Sequence, residues 1–247
     1  MDANLKFFLK DSIRKMVDFS QTAQNRGLPP PPLQKPYPAD AALLALPRPG
    51  EWAGIGDVSV ARAIAERKSH RSFRREFLTL DELSFLLWAT QGLRKAPGLA
   101  GGLRTVPSAG CRHAFETYLA IYLVRGLNPA LYRYLPVEHA LVETARMEHL
   151  DEEVALAAFN QGFVSRGAAT FFWTAVPERM EWRYAEASYK VMALDAGHVC
   201  QNLYLACEAI GAGTCAVAAY DQEACDTLLG LDGETEFTLY LAPVGKV

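Results

Sequence analysis

Five consecutive residues, Arg67-Lys68-Ser69-His70-Arg71, bring two guanidinium groups, an ammonium and a hydroxyl into one short turn of chain. A phosphate monoester carries nearly two negative charges and three strong acceptor oxygens. Planar guanidinium forks and a point-charge ammonium suit that geometry. The competing reading of such a run is a solvated helix end, since clustered charges usually face water. A second stretch, Arg104-Thr105-Val106-Pro107-Ser108-Ala109-Gly110-Cys111-Arg112-His113, is made of small residues with a proline and a glycine. It reads as a tight loop entering a strand.

Other chemistries find no support. Gly211-Ala212-Gly213 lacks the third glycine of a dinucleotide fingerprint, because Ala216 stands there, and it follows a helical pattern where a strand is needed. The one Gly-Lys pair, Gly245-Lys246, lies at the end of the chain and is no phosphate-binding loop. There is no G-x-S-x-G nucleophile elbow. No two of the five histidines share the spacing of a zinc helix. Asp195-x-x-His198 is a metal-type pair without the second pair and the extra glutamates of a di-iron bundle, so no metal site is expected. Cys200 and Cys207, seven apart on one helical face, read as core residues.

The elements that must position the two stretches follow from periodicity. Ser59, Val60 and Ile64 open a short helix that ends in the basic run. Thr79-Leu80-Asp81-Glu82 is a capping box for a helix through Trp88 that stops at Gly92. Residues 95–102 hold three glycines and a proline and read as a mobile loop. Strands are expected over 115–124, 131–135, 170–176, 215–219 and 236–243. Helices are expected over 151–160 and 221–229, and the longest over 184–210, with Tyr189, Met192, Ala196, Val199, Leu203, Ala206 and Ile210 at helical spacing. The class is α+β without regular βαβ alternation. Residues 1–57 form an N-terminal arm: an amphipathic helix from Leu5 to Met16, then an extended path forced by Pro29-Pro30-Pro31-Pro32, Pro36 and Pro38, lying over the body or a partner subunit. Residues 58–247 form the main domain.

Half of the 247 residues are hydrophobic, enough for a sizeable core, and the charged fraction of 21% is low enough to suggest a buried subunit interface. A formal charge of −3 argues against a broad nucleic-acid surface. No apolar run approaches a membrane span, and residues 1–15 lack the apolar core of a secretory signal. Five cysteines without a C-x-x-C pair then fit a reducing cytoplasm.

Taken in order, R-x-S-x-R at 67–71, L-T-x-x-E-L-S-x-L-L-W-A-x-Q-G at 78–92 and R-T-x-P-S-A-G-x-x-H at 104–113 resemble the nitroreductase superfamily. Within it they most resemble the SagB-type dehydrogenases, flavin enzymes linked to thiazole and oxazole formation in ribosomal peptides. Leu131-Tyr132-Arg133-Tyr134, the run Leu194-Asp195-Ala196-Gly197-His198-Val199-Cys200-Gln201-Asn202-Leu203, and Pro243-Val244-Gly245 extend the match from Val58 to the C-terminus.

The resemblance implies a nitroreductase-like α+β fold, a central mostly antiparallel sheet flanked by helices, and an intertwined homodimer with two flavin mononucleotide (FMN) sites at its interface. It places Arg67, Lys68, Ser69 and Arg71 on the FMN phosphate. It places Pro107, Ser108, Ala109 and Gly110, from the other subunit, along the ring. The segment 216–220, with Ala218 and Ala219, would turn a backbone N–H toward the flavin N5, and Lys246 stands where the family often adds basic residues. The activity implied is ping-pong hydride transfer through N5, with NAD(P)H reducing an unidentified small-molecule or peptide acceptor. The alternatives are an azoline dehydrogenase of a peptide-modifying complex, or a structural flavin-binding subunit of one. Two departures matter. The family's His-Pro is His113-Ala114 here, and the Lys-Tyr pair of azoline-oxidising members is Arg183-Tyr184. An arginine stays protonated and cannot act as base, though it can bind an anion or polarise a carbonyl. Tyr184 and, more remotely, Lys190 remain as proton carriers.

Overall fold

The computed structural model describes residues 6–95 and 102–247. The first half contains strand β1 (Leu43–Ala45), helices α1 (Val60–Glu66) and α2 (Leu80–Gln91), short strands β2 (Leu93–Lys95) and β3 (Leu103–Arg104), and strands β4 (Phe115–Ile121), β5 (Ala130–Leu135) and β6 (Ala140–Ala145). The second half contains helix α3 (Leu150–Ala157), strand β7 (Ala169–Ala175), helices α4 (Pro177–Tyr184) and α5 (Ser188–Glu208), strand β8 (Ala212–Thr214), helix α6 (Gln222–Leu229) and strand β9 (Phe237–Lys246).

Seven strands form one sheet in the order β1-β6-β5-β4-β7-β9-β8, and every pairing is antiparallel. Strands β4 and β7 lie at its centre, with Leu119 opposite Phe171 and Tyr118 opposite Phe172. Because side chains alternate across a strand, these pairs feed opposite faces. Leu119, Phe171 and Trp173 pack with Leu83, Leu86 and Leu87 of α2 and with Met192, Val199 and Leu203 of α5. Tyr118, Ala120 and Phe172 pack with Val154 of α3 and with Cys225 and Leu229 of α6. Both faces are covered, so β4 and β7 are buried along their whole length and are mostly apolar, with Glu116, Thr117, Thr170 and Thr174 as the buried exceptions.

The proline-rich stretch is extended and crosses the end of this sheet. Arg104 donates to the carbonyl of Leu33 (2.9 Å) and Arg133 to that of Pro36 (2.8 Å). The amide of Lys35 donates to Glu116 (2.8 Å), and its ammonium pairs with Glu236. Glu116 itself is buried against Arg179 and Arg133. The stretch then enters the sheet as β1, in register with β6.

The expected antiparallel α+β fold is the observed one. The capping box closes as expected: Thr79 Oγ1 accepts from the Glu82 amide (3.2 Å), Glu82 accepts from the Thr79 amide (2.9 Å), and α2 ends at Gly92. Other expectations need correcting. The long helix does not begin at Tyr184. That residue closes α4, Ala185 turns the chain at φ 44°, and α5 starts at Ser188. No glycine or proline marks the break, so the sequence carries no punctuation there. The strand expected over 215–219 is β8, at 212–214. Its register with β9 would next place Cys215 opposite Pro243, which has no N–H to give, and pairing resumes only at Val217 with Leu241. The expected N-terminal helix is interrupted: residues 6 and 7 are helical, a turn follows, and Asp11–Lys15 is a 3₁₀ segment, while Leu5 lies outside the described residues. The loop expected over 95–102 also lies mostly outside them, at 96–101, between the paired strands β2 and β3. Strands β1 and β6 lacked a sequence signal.

Replacing Glu116 by Gln leaves buried guanidinium groups without their carboxylate. A loss of about 3–5 kcal/mol is expected, with faster proteolysis within residues 29–40; urea denaturation and limited digestion by a protease of broad specificity measure both.

Candidate active site

The basic turn begins where α1 ends. Ser59 caps that helix by accepting from the Arg62 amide (3.2 Å), and Arg67 leaves it with ψ 134°. The chain then runs beside β8: Ser69 bridges Thr214, and the His70 amide donates to the Thr214 carbonyl (2.9 Å). Contact is close enough that a Cβ on Gly213 would sit 2.6 Å from the His70 ring, so glycine is required there. Burial and the neighbouring Lys68 lower the His70 pKa, with Glu208 opposing.

Tyr204 of α5 ties these pieces together. Its hydroxyl lies 2.8 Å from Ser69 Oγ and accepts the Ala216 amide (2.9 Å), while the Arg67 guanidinium covers its ring at 5.3 Å. Arg71 lies 5.7 Å over Phe163. Two flanking cations are neutralised: Arg62 pairs with Glu66 (2.9 Å) and Arg74 with Glu76 (3.3 Å). Among the described residues, Arg67, Lys68 and Arg71 have no carboxylate within ion-pair distance. Ala218 and Ala219 are exposed beside Ala216, and among the described residues their amides meet no protein acceptor. Lys246 is engaged elsewhere, its ammonium held by Glu82 (2.6 Å) and the Ile210 carbonyl (2.6 Å).

The second cluster lies nearer the start of α5. Ser108 Oγ accepts the His113 amide (2.9 Å), and the Ala109 amide donates to the buried carboxylate of Asp195 (3.1 Å). Pro107 is exposed. Gly110 has φ 57°, and a Cβ there would meet Arg183 Cδ at 2.5 Å and the Tyr184 hydroxyl at 2.7 Å. The loop 107–110 is therefore packed onto Arg183 and Tyr184 of the same chain. Arg183 donates to Gln24 (3.1 Å), Arg14 covers the Tyr184 ring at 5.6 Å, and Arg112 covers Trp182 at 4.8 Å. Sequence reasoning missed Gln24, Arg14 and Tyr204, which no motif marks. Asp195 was visible only as half of a metal-type pair; its carboxylate lies 3.8 Å from His198 but serves the loop.

Tyr204 and Asp195 are nine residues apart on one helix, so the two clusters are separated by roughly 14 Å along α5. The arrangement pairs an exposed, uncompensated cationic turn with a small-residue loop packed against a tyrosine and an arginine of α4. It suits an elongated anion whose far end needs proton management.

The chain matches the model of the nitroreductase family over residues 64–246. A protein of Methanocaldococcus jannaschii described as a nitroreductase is 31% identical over 192 residues, which cover 78% of this chain and 93% of that protein. A nitroreductase crystal structure from Ralstonia eutropha JMP134 superposes with a TM-score of 0.67 at 27% identity, covering 89% of this chain and 99% of the other. The trifolitoxin-processing protein TfxB of Rhizobium leguminosarum bv. trifolii is 28% identical over 133 residues, 52% of this chain and 36% of TfxB. The fold and the family match make it an α+β oxidoreductase. The chain belongs to the nitroreductase family.

His113 provides a pH test of the loop. Burial, then Arg104, Arg112 and Arg179, pull its pKa down to about 3. The unfolded chain, with a histidine near 6.5, therefore binds the extra proton first as pH falls. This group's contribution is complete above about pH 6.5 and is lost at roughly 1 kcal/mol per pH unit below it. Denaturation at pH 7 and pH 5 should show a smaller acid loss for His113→Asn than for the wild type.

Proposed function

We propose that the protein is an FMN-dependent oxidoreductase that works as a cytoplasmic homodimer, taking hydride from NAD(P)H and passing it to an organic acceptor in a ping-pong cycle. The supporting observation is the turn of Arg67, Lys68 and Arg71 with no carboxylate among the described residues to neutralise it. The donor set fits a phosphate monoester. Tyr204 accepts the Ala216 amide and keeps its own proton; in the arrangement in which it donates that proton to Ser69, the serine proton is left for an outside acceptor. A bound flavin supplies the hydride-exchanging ring that no side chain offers.

In this reading the chain's residues have separate tasks. Arg67, Lys68, Ser69 and Arg71 hold the phosphate. Pro107, Ser108, Ala109 and Gly110 line the ring, from the partner subunit in a dimer. The free amides of Ala218 and Ala219 orient it and stabilise developing charge. Tyr184 carries a proton, and Arg183 binds an anionic group or polarises a carbonyl. The exposed apolar side chains of Val60, Ile64, Tyr189 and Leu194, on α1 and α5, support a dimer, and five unpaired cysteines support a reducing compartment.

Purified protein should be yellow, and heat should release FMN; release of FAD, or no flavin after reconstitution, would overturn the reading. Arg67→Ala and Arg71→Ala should each weaken FMN binding roughly ten- to a hundredfold, about 1.5–3 kcal/mol, in a protein that still folds. Fluorescence titration of the apoprotein measures it.

The likeness to TfxB favours a second reading, a role in peptide modification as a SagB-type azoline dehydrogenase or as a structural flavin-binding subunit. Because Arg183 cannot take up a proton, weak thiazoline oxidation is expected beside clear NAD(P)H-driven reduction of a quinone or nitroaromatic. Arg183→Lys should gain thiazoline oxidation. Rapid aromatisation of a thiazoline peptide by the wild type would place the second reading first, and failure to turn over any acceptor would leave the structural subunit.

A further inference from the structure

A cavity of about 590 Å³ lies between the proline-rich arm, the start of α4 and the start of β9. Pro31, Pro32 and Pro36 line it from the arm, and Val176, Pro177 and Phe237 add to its mostly apolar wall. The arm is tied down beside it by the bonds from Arg104 and Arg133 to its carbonyls and from its Lys35 amide to Glu116. The cavity is therefore built by the fold and is not a gap under a loose segment.

Four carboxylates and two cations also reach this space, and they are not equally engaged. Lys35 is spent on Glu236, which accepts from the Thr174 hydroxyl as well (2.6 Å). Glu178 stands in the first turn of α4, where the positive end of the helix steadies it. Glu181 and Glu234 have no Lys, Arg or His within ion-pair distance among the described residues. Glu181 accepts the Tyr189 hydroxyl (2.7 Å), a neutral partner that leaves its charge in place. Arg179 is the second cation. It is 4% exposed and bonded to Glu116, yet its Nη1 meets no acceptor among the described residues. A buried donor without an acceptor is costly, and most such groups find a partner.

These features ask for three things in one ligand: an apolar body, a cation for Glu181 and Glu234, and an acceptor for Arg179. A metal ion has no use for proline and phenylalanine walls, and a nucleic acid would meet the wrong charge. A simple organic cation lacks the acceptor. A peptide residue with a basic side chain has all three, since its aliphatic stem packs on apolar surface while its charged end stays with carboxylates and water.

We propose that this cavity is a docking site for a peptide segment bearing an arginine or lysine, with the side-chain cation held by Glu181 and Glu234 and a backbone carbonyl taken by Arg179. Docking needs no flavin and goes beyond the redox reading above. It also gives the arm a task, because the arm supplies one wall of the site. Pro177 and Tyr184 lie seven residues apart on α4, roughly 10 Å along the helix. A stretch of about three extended residues covers that distance. On the active-site reading, a peptide docked here therefore brings residues close to its basic one within reach of Arg183 and Tyr184.

The test uses the full chain and a fluorescein-labelled, end-blocked peptide of alternating leucine and arginine, read by fluorescence polarisation. The wild type should bind it. Replacing its arginines by citrulline, a neutral isostere, should weaken binding roughly tenfold or more, as should Glu181→Gln combined with Glu234→Gln. Glu152→Gln combined with Glu153→Gln, on α3, should leave it unchanged. No binding at about 1 mM peptide overturns the proposal. So does equal binding of the citrulline peptide, or an equal loss in the α3 variant, which would mean diffuse attraction to an acidic surface. If the peptide fails to bind but the Glu181 and Glu234 variant changes the sedimenting mass, a second copy of the chain is the occupant and the proposal falls. In competition, N-acetylarginine amide should displace the peptide at lower concentration than N-acetylagmatine, which lacks only the carboxamide. Equal displacement would remove Arg179 from the site.

Discussion

Glu116 is a carboxylate on a central strand, 3% exposed and flanked by Arg133 and Arg179, with Arg104 close by. Moving such a charge out of water is expensive, and attraction repays the cost only when the geometry is good and the remaining acceptor sites are filled. Part of the filling comes from outside the sheet. The Lys35 amide donates to Glu116 Oε1, and the carbonyls of Leu33 and Pro36 take donors from Arg104 and Arg133, while Glu116 Oε2 has only Arg133 at 3.8 Å and no hydrogen bond among the described residues. Prolines suit this role, because they expose carbonyls without adding N–H groups that need partners. Burial and the neighbouring Arg179 together draw Arg104 down to about 10, so this cluster holds its charges at a cost and has little slack. Arm, sheet and α4 are fixed by one electrostatic problem with one solution.

That solution reaches the candidate active site. Arg179 belongs to α4, whose last residues are Arg183 and Tyr184, and Arg104 stands at the entrance of the loop holding Ser108 and Gly110. Burial first, and the same arginines after it, keep the His113 ring neutral beneath the loop. Helix α5 carries the other end. Its buried stripe of Met192, Ala196, Val199 and Leu203 lies on the sheet, and Asp195 and Tyr204 project from the same rigid rod to hold the two clusters at a fixed spacing.

Much of this was legible in the sequence, and the reasons are specific. The capping box at Thr79 and Glu82, the apolar runs of β4 and β7, and the basic turn are local patterns whose physics is complete within a few residues. The break at Ala185 was hidden because an alanine in left-handed backbone carries no compositional mark; tertiary contacts impose it. Strand β8 was displaced because what ends it, Pro243, lies on another strand and acts only through register. Gln24, Arg14 and Tyr204 were invisible for the same reason: each acts across a long gap in sequence. Asp195 drew attention for its spacing to His198, yet its hydrogen-bond partner is the Ala109 amide, 86 residues away.

The buried and the basic-turn cations have different surroundings. Arg104, Arg133 and Arg179 are buried among Glu116, Gln91 and arm carbonyls, with Arg104 Nε and Arg179 Nη1 left without a partner among the described residues; Lys246, mostly shielded, pairs with Glu82. Arg67, Lys68 and Arg71 are not buried, and their own helix places its glutamate on Arg62 instead. A solvated helix end needs no particular neighbours. This turn has them: a serine tied to Tyr204, an arginine stacked on the same ring, and a glycine in β8 that admits His70 to within contact. Uncompensated charge on an exposed surface is ordinary. Uncompensated charge held in place by a buried helix is an ordering cost that folding alone does not require, and a bound anion is the simplest thing that makes use of it.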